Sequence, residues 1–174
     1  MGPDLRIDWG EVCHTPEDFE KLVKLLLQRR HPDGQAIDGS GGDGGRDFQA
    51  PTDDGLMFYE AKSFTGRLTA KNPNRRSQVE RSLRSAAKNN PIAWHMVVPI
   101  DPNPSELRWF NGLKSRFPFI GQWHGKTWLE TELVRHPDLV RYATQNKLLD
   151  YVRQYKTETE ASNCQDLWIG VSCG

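Results

Sequence analysis

The stretch LMFYEAKSF, residues 56–64, constrains the fold more than any other part of the chain. Side chains alternate along an extended strand, so Leu56 and Phe58 point one way while Met57, Tyr59 and Ala61 point the other. Both faces therefore need cover. The pattern predicts a central strand with packing on each side. Glu60 and Lys62 then share the face of Phe58, about 7 Å apart along the strand. Charged groups in a covered strand are costly unless they are paired or used. At a sheet edge the same two residues would be an exposed ion pair worth about 0–1 kcal/mol, with no functional meaning.

The segments around this strand alternate between helical and extended patterns. Thr15, Pro16 and Asp18 mark a helix start, and Phe19, Leu22, Val23, Leu26 and Leu27 repeat at helical period up to about Arg30. His31-Pro32-Asp33-Gly34 ends that helix. Extended pieces at 35–38 and 46–50, followed by the turn PTDDG at 51–55, lead into 56–64 as a meander. A second helix follows in RRSQVERSLRSAAKNN, with Val79, Leu83, Ala86 and Ala87 inward. After it come a strand at 92–100, a helix from near Ser105, a short strand at 119–125 and a helical stretch at 126–155 interrupted at Pro137. The expected class is α/β: a mixed central sheet flanked by helices on both faces. Trp94, Trp109, Trp123 and Trp128 fall at apolar-periodic places and read as core. His95, His124 and His136 are scattered and read as packing residues.

With 174 residues the chain has the size of one domain, able to bury a core without disulfide or metal staples. Residues 156–174 are polar and weakly patterned, as a linker into a further module would be. No run of 18 apolar residues and no charged-then-apolar leader occurs, so the expectation is a cytoplasmic protein without a membrane partner. Cys13, Cys164 and Cys173 lack zinc-ligand spacing and read as free thiols. Lys plus Arg equals Asp plus Glu, 23 each, so a charged partner must be signalled locally.

The glycine-rich run GSGGDGGRDF, residues 39–48, matches the G-x-G-x-x-G pattern but is followed by a strand, where dinucleotide binding requires a helix. A flexible turn, a phosphate cradle and a cation loop all stay open for it. Asp47 begins the strand that follows, and a hairpin through PTDDG brings it beside Glu60 and Lys62. Two carboxylates about 4 Å apart repel by roughly 4 kcal/mol at an effective dielectric near 20, so a cation is expected between them. Mg²⁺ (or Mn²⁺) suits such hard oxygen donors, and the Lys62 amine can orient a water or stabilise a charged transition state. That is the chemistry of phosphodiester hydrolysis.

The helix bearing FE, then GGDGGRDF, FYEAK and a helix opening with SQVERSL, resembles the PD-(D/E)xK superfamily of restriction-endonuclease-like nucleases, in particular its Mrr-like branch. The likeness covers roughly residues 15–100. It implies a restriction-endonuclease-like core within residues 1–155, with Asp47, Glu60 and Lys62 as the catalytic, metal-binding set. It also implies Glu20 of the first helix as a further metal ligand and Gln78 as a supporting residue. Glu60 stands where many Mrr-like members carry Gln, and Arg46 stands where the superfamily's name places a proline. Asp43 rivals Asp47 for the aspartate role; Asp47 is preferred because it opens the strand. Glu20 can equally pair with Lys24 four residues on, and Gln78 can bond within its own helix.

Between Lys62 and Lys88 stand eight basic residues and one acid, Glu80, a net of +7 in a chain that sums to zero. Arg67, Lys71, Arg75, Arg76, Arg81, Arg84 and Lys88 are thus candidates for contacts to a nucleic-acid backbone. The resulting expectation is an endonuclease domain cutting DNA with little sequence specificity and leaving a 5′-phosphate. By resemblance it would be the effector of a restriction or antiviral defence protein, fused to an NTPase or sensor module and active as a homo-oligomer. The rivals are a catalytically silent nucleic-acid-binding module and, more weakly, a nucleotide-handling enzyme using the glycine loop.

Overall fold

The computed structural model describes residues 7–39 and 44–143. Five strands form one sheet in the order β1-β2-β3-β4-β5: β1 (Gln35–Ala36), β2 (Phe48–Thr52), β3 (Gly55–Ala61), β4 (Ala93–Val97) and β5 (Ile120–His124). The first three pair antiparallel and the last two join in parallel, so the sheet is mixed and β3 is its middle strand. Its alternation does what the sequence pattern requires. Phe58 enters a cluster with Val79, Leu83, Trp94, Met96 and Phe110, while Tyr59 enters a second one with Phe19, Leu26, Phe48 and Leu129 on the opposite face.

Helices supply the cover. On the Tyr59 side lie α1 (Trp9–Val12), α2 (Pro16–Arg30) and α5 (Lys126–Val134); on the Phe58 side lie α3 (Pro73–Ala87) and α4 (Pro104–Gly112). Residues 137–143 are helical and add Leu139 and Val140 to the first cluster. The α2 start is as the sequence indicates, with Thr15 Oγ1 accepting the Asp18 amide at 3.2 Å. At α4 the Asn103 and Glu106 side chains cap each other's backbone amides in a complete capping box. No helix among the described residues is long and apolar enough to cross a membrane.

Several boundaries differ from the sequence reading. The strand expected at 46–50 runs instead through Pro51 and Thr52, leaving a two-residue turn at Asp53-Asp54, because Thr52 pairs with Gly55. Strand β3 stops at Ala61, and Leu56 is 38% exposed at its start. Short α1 was not anticipated: it is one turn, capped by Asp8, whose carboxylate accepts the Glu11 amide at 3.2 Å. The proposed tail 156–174 and the helical continuation past 143 lie outside the described residues, as do Cys164 and Cys173.

Of Trp94, Trp109, Trp123 and Trp128, read as core from the sequence, Trp94 alone is core, fully buried with its indole N–H donating to the Gly45 carbonyl at 2.8 Å. Trp109, Trp123 and Trp128 are half-buried, since each has a polar or charged neighbour. Arg76 lies over Trp109, Trp123 donates to the Ile100 carbonyl, and Trp128 stacks on His124.

Two of the three histidines read as scattered, His95 and His124, meet in space. His31, at the end of α2, hydrogen-bonds the Tyr59 hydroxyl at 2.9 Å; Tyr59 stacks on His95 at 4.9 Å and His95 on His124 at 5.2 Å. His95 Nδ1 accepts the Gln122 amide at 3.0 Å, which requires that nitrogen unprotonated. Burial, helped by the neighbouring charges of His31 and Arg30, lowers His95 to about 4. Burial, then His95 and Arg30, lowers His124 to about 3. An unfolded chain takes up protons that these folded histidines refuse, so their contribution to stability is full above pH ~6.5 and is lost as pH falls toward 4. Asp47, raised in the folded state, works in the opposite sense over part of this range and leaves a net of about one group. Urea unfolding should therefore show about 2 kcal/mol less stability at pH 5 than at pH 6.5.

Candidate active site

Asp47 sits just before β2, its amide donating to the Tyr59 carbonyl and its carbonyl accepting from Ile37, both at 2.8 Å. The register pairs Phe48 with Tyr59, so Asp47 stands across from Glu60. Its Oδ2 accepts the Ala61 amide at 2.7 Å. Both carboxylates are buried: Asp47 is 6% exposed and Glu60 2%. Glu60 Oε1 accepts from the Lys62 amine at 2.5 Å and from the Ser82 hydroxyl at 2.7 Å. Glu60 Oε2 is fully enclosed and has no hydrogen-bond partner among the described residues.

These facts define an electrostatic imbalance. Burial, and next the negative charge of Glu60, push the Asp47 carboxyl up to about 7; the Ala61 N–H and Lys62 act against the shift, and Glu20 adds to it. A buried acceptor left without a donor costs about 1–3 kcal/mol. A hard cation with oxygen ligands would relieve both costs, and the groups present fit one: Asp47, the free oxygen of Glu60, and Glu20 across the cavity.

That cavity, about 230 Å³, is lined by Glu20, Asp47, Glu60, Ala61, Lys62 and Gln78 among others. Glu20 lines the cavity and pairs with Lys24, whose amine also reaches the Ile37 carbonyl at 2.7 Å. Among the described residues no three His, Cys, Asp or Glu side chains are already gathered in metal-ligating geometry. Gln78 lies on the exposed side of α3 at the cavity wall. Asp43, the rival of Asp47, is outside the described residues.

Two contributors escaped the sequence reading. Ser82 anchors Glu60 from α3; its signal was a small polar residue four positions after Gln78, on the border of the Val79-Leu83 stripe. Gly45 packs directly on the α3 backbone, and with φ at +75° it sits where L side chains are rarely found. Its close approach is thus to the helix, a packing role beside the turn, phosphate cradle and cation loop left open by the sequence.

The basic segment is less uniform than its charge count. Arg67 pairs with buried Glu106 at 3.1 Å and donates to the Asp101 carbonyl; Arg75 donates to the Arg67 carbonyl and Arg76 to that of Leu68. These three brace the loop at 62–72 around the fully buried Leu68. Arg84 lies 3.7 Å from Glu80. Lys71, Arg81 and Lys88 are exposed. Arg81 lines a second cavity of about 390 Å³ with Lys62, Asn74, Ser77, Gln78 and Ser82.

No family model matches the chain, and no curated protein matches it in sequence. Its chemistry is therefore argued from the site. The site offers two buried carboxylates, one enclosed oxygen without a partner among the described residues, and an amine held on the same carboxylate.

Proposed function

We propose that this chain is a metal-dependent endonuclease domain that hydrolyses DNA phosphodiester bonds, of the PD-(D/E)xK, Mrr-like type. The observation that carries the reading is Glu60: buried, tied by one oxygen to Lys62 and Ser82, and with its other oxygen unpaired beside a carboxyl of raised affinity for protons. Asp47, Glu60 and Glu20 would hold a divalent cation, Mg²⁺ or Mn²⁺. When bound, that ion polarises a phosphoryl oxygen and lowers the pKa of a ligated water. The residues do the rest of the positioning. Ser82 fixes the Glu60 carboxylate, the Ala61 amide fixes that of Asp47, and the Lys62 amine orients the attacking water or neutralises charge building on the phosphate. Attack at phosphorus breaks the P–O3′ bond, leaving a 5′-phosphate and a 3′-hydroxyl.

Exposed Arg81, Lys71 and Lys88 serve contact with the DNA backbone, which carries no sequence information. The same resemblance points to a role as the effector of a restriction or antiviral defence protein, switched on when a fused NTPase or sensor module clusters several copies. The direct experiment compares wild type and Lys62→Ala on plasmid DNA with Mg²⁺ or Mn²⁺. The expected outcome is cleavage by wild type and a loss of about 100-fold or more in the variant. Equal cleavage by both would overturn the role of Lys62. DNA binding with no cleavage by wild type under any metal or clustering condition would assign the silent binding module instead.

A further inference from the structure

We infer that the second cavity seats a backbone phosphate of the nucleic acid adjacent to the one under attack, with Arg81 as its cationic anchor. The inference rests on the phosphodiesterase reading of the neighbouring cavity and names the substrate that reading requires. The two cavities share Lys62 and Gln78 as lining residues, so they adjoin on the same face of the site. Their chemistry is opposite. Glu20, Asp47 and Glu60 line the first; the second is lined by Arg81, by Lys62, whose amine is paired with Glu60, and by Asn74, Ser77, Gln78 and Ser82, the last with its hydroxyl given to Glu60, and no carboxylate is among the described lining residues.

Helix geometry builds this second wall. Residues 74, 77, 78, 81 and 82 of α3 follow the spacing i, i+3, i+4, i+7, i+8, a single stripe along the helix. Ser82 closes it where its hydroxyl reaches Glu60. Arg81 differs from its neighbours: Arg67, Arg75, Arg76 and Arg84 are engaged with carbonyls or carboxylates, whereas Arg81 makes no such contact among the described residues. A free guanidinium ringed by hydroxyl and amide donors matches a phosphate, whose oxygens accept several hydrogen bonds at once. Adjoining cavities, one with carboxylates for the reacting phosphate and one with a cation for the next, select a polynucleotide over an isolated diester.

The test is binding, measured separately from cleavage. A fluorescein-labelled single-stranded oligonucleotide is titrated in EDTA against wild type, Arg81→Ala, Arg81→Lys and Arg84→Ala, at several salt concentrations. Arg81→Ala should bind about 5–10-fold more weakly, with a salt slope shallower by about 0.7, the share of one phosphate on a single strand. Arg81→Lys should restore the slope, and Arg84→Ala should change affinity by less than about twofold. Wild-type binding that Arg81→Ala leaves intact would overturn the inference and leave the nuclease reading standing. Arg81-dependent binding without cleavage by any metal would do the reverse. Wild type that binds no oligonucleotide would overturn the inference, and the plasmid cleavage assay would decide the nuclease reading separately.

Discussion

Asp47→Asn should produce a metal-free protein that is more stable than wild type and has lost cleavage. Nuclease activity should fall about 1000-fold or more, since losing a metal ligand forfeits several kcal/mol of transition-state stabilisation at 1.36 kcal/mol per tenfold. The stability gain follows from the same geometry. The substitution removes one of two buried negative charges, and its amide oxygen can still accept the Ala61 N–H that now binds Asp47 Oδ2 at 2.7 Å. Its new NH₂ group adds a donor to the side chain that faces Glu60 across the β2–β3 register, where Oε2 lacks one among the described residues. We expect about 1–3 kcal/mol, seen as a rise of roughly 3–8 °C in thermal denaturation at pH 8 in EDTA. Activity and stability moving in opposite directions is the signature of a site held under strain for a task. A variant that is both inactive and destabilised would show instead that Asp47 is a structural hydrogen-bond acceptor.

Gly45→Ala should be among the most damaging single substitutions outside the two clusters. A Cβ there falls onto the backbone carbonyl of Ser82 and within 2.7 Å of the Ala86 amide, and neither can give without moving α3. The backbone at φ +75° adds about 1–2 kcal/mol for any L residue. The sum is about 3–5 kcal/mol, or a fall in Tm of roughly 10 °C. Gly44→Ala is the control: its φ is +61°, but its Cβ meets the movable ends of Arg46 and Asn89, so about 1 kcal/mol is expected. A second consequence is functional. Pushing α3 outward withdraws Ser82 from Glu60, so cation affinity should fall in Gly45→Ala. If Gly45→Ala unfolds like Gly44→Ala, the loop does not pack on the helix as described.

What was legible in the sequence was what depends on local periodicity. The alternation through Phe58, Tyr59 and Glu60 fixed both faces of β3, and the short hairpin set Asp47 opposite Glu60 with no long-range information. The end of β3 was less legible, because the Lys62 amide still donates to the Val97 carbonyl at 2.9 Å after the strand has formally stopped. Contacts made across the fold left almost no local trace. Ser82 reaches Glu60 over 22 positions, His31 reaches Tyr59 over 28, and Glu106 reaches Arg67 over 39. Counting basic residues between 62 and 88 found a positive segment but not its division of labour. A guanidinium bracing a loop and one left facing a cleft have the same letter. The stacking of His95 and His124 left no local trace for the same reason: it is assembled by strand register, which brings Tyr59 beside His95.

The central claim is that Asp47 and Glu60 converge on a shared divalent cation. Calorimetric titration of Mn²⁺ into wild type, Asp47→Asn and Glu60→Gln tests it without requiring turnover. The account predicts saturable binding to wild type that either substitution weakens by about 10-fold or more, the scale of a lost ligand charge. Millimolar Mn²⁺ giving no binding heat with wild type, or the same isotherm with all three proteins, would contradict it.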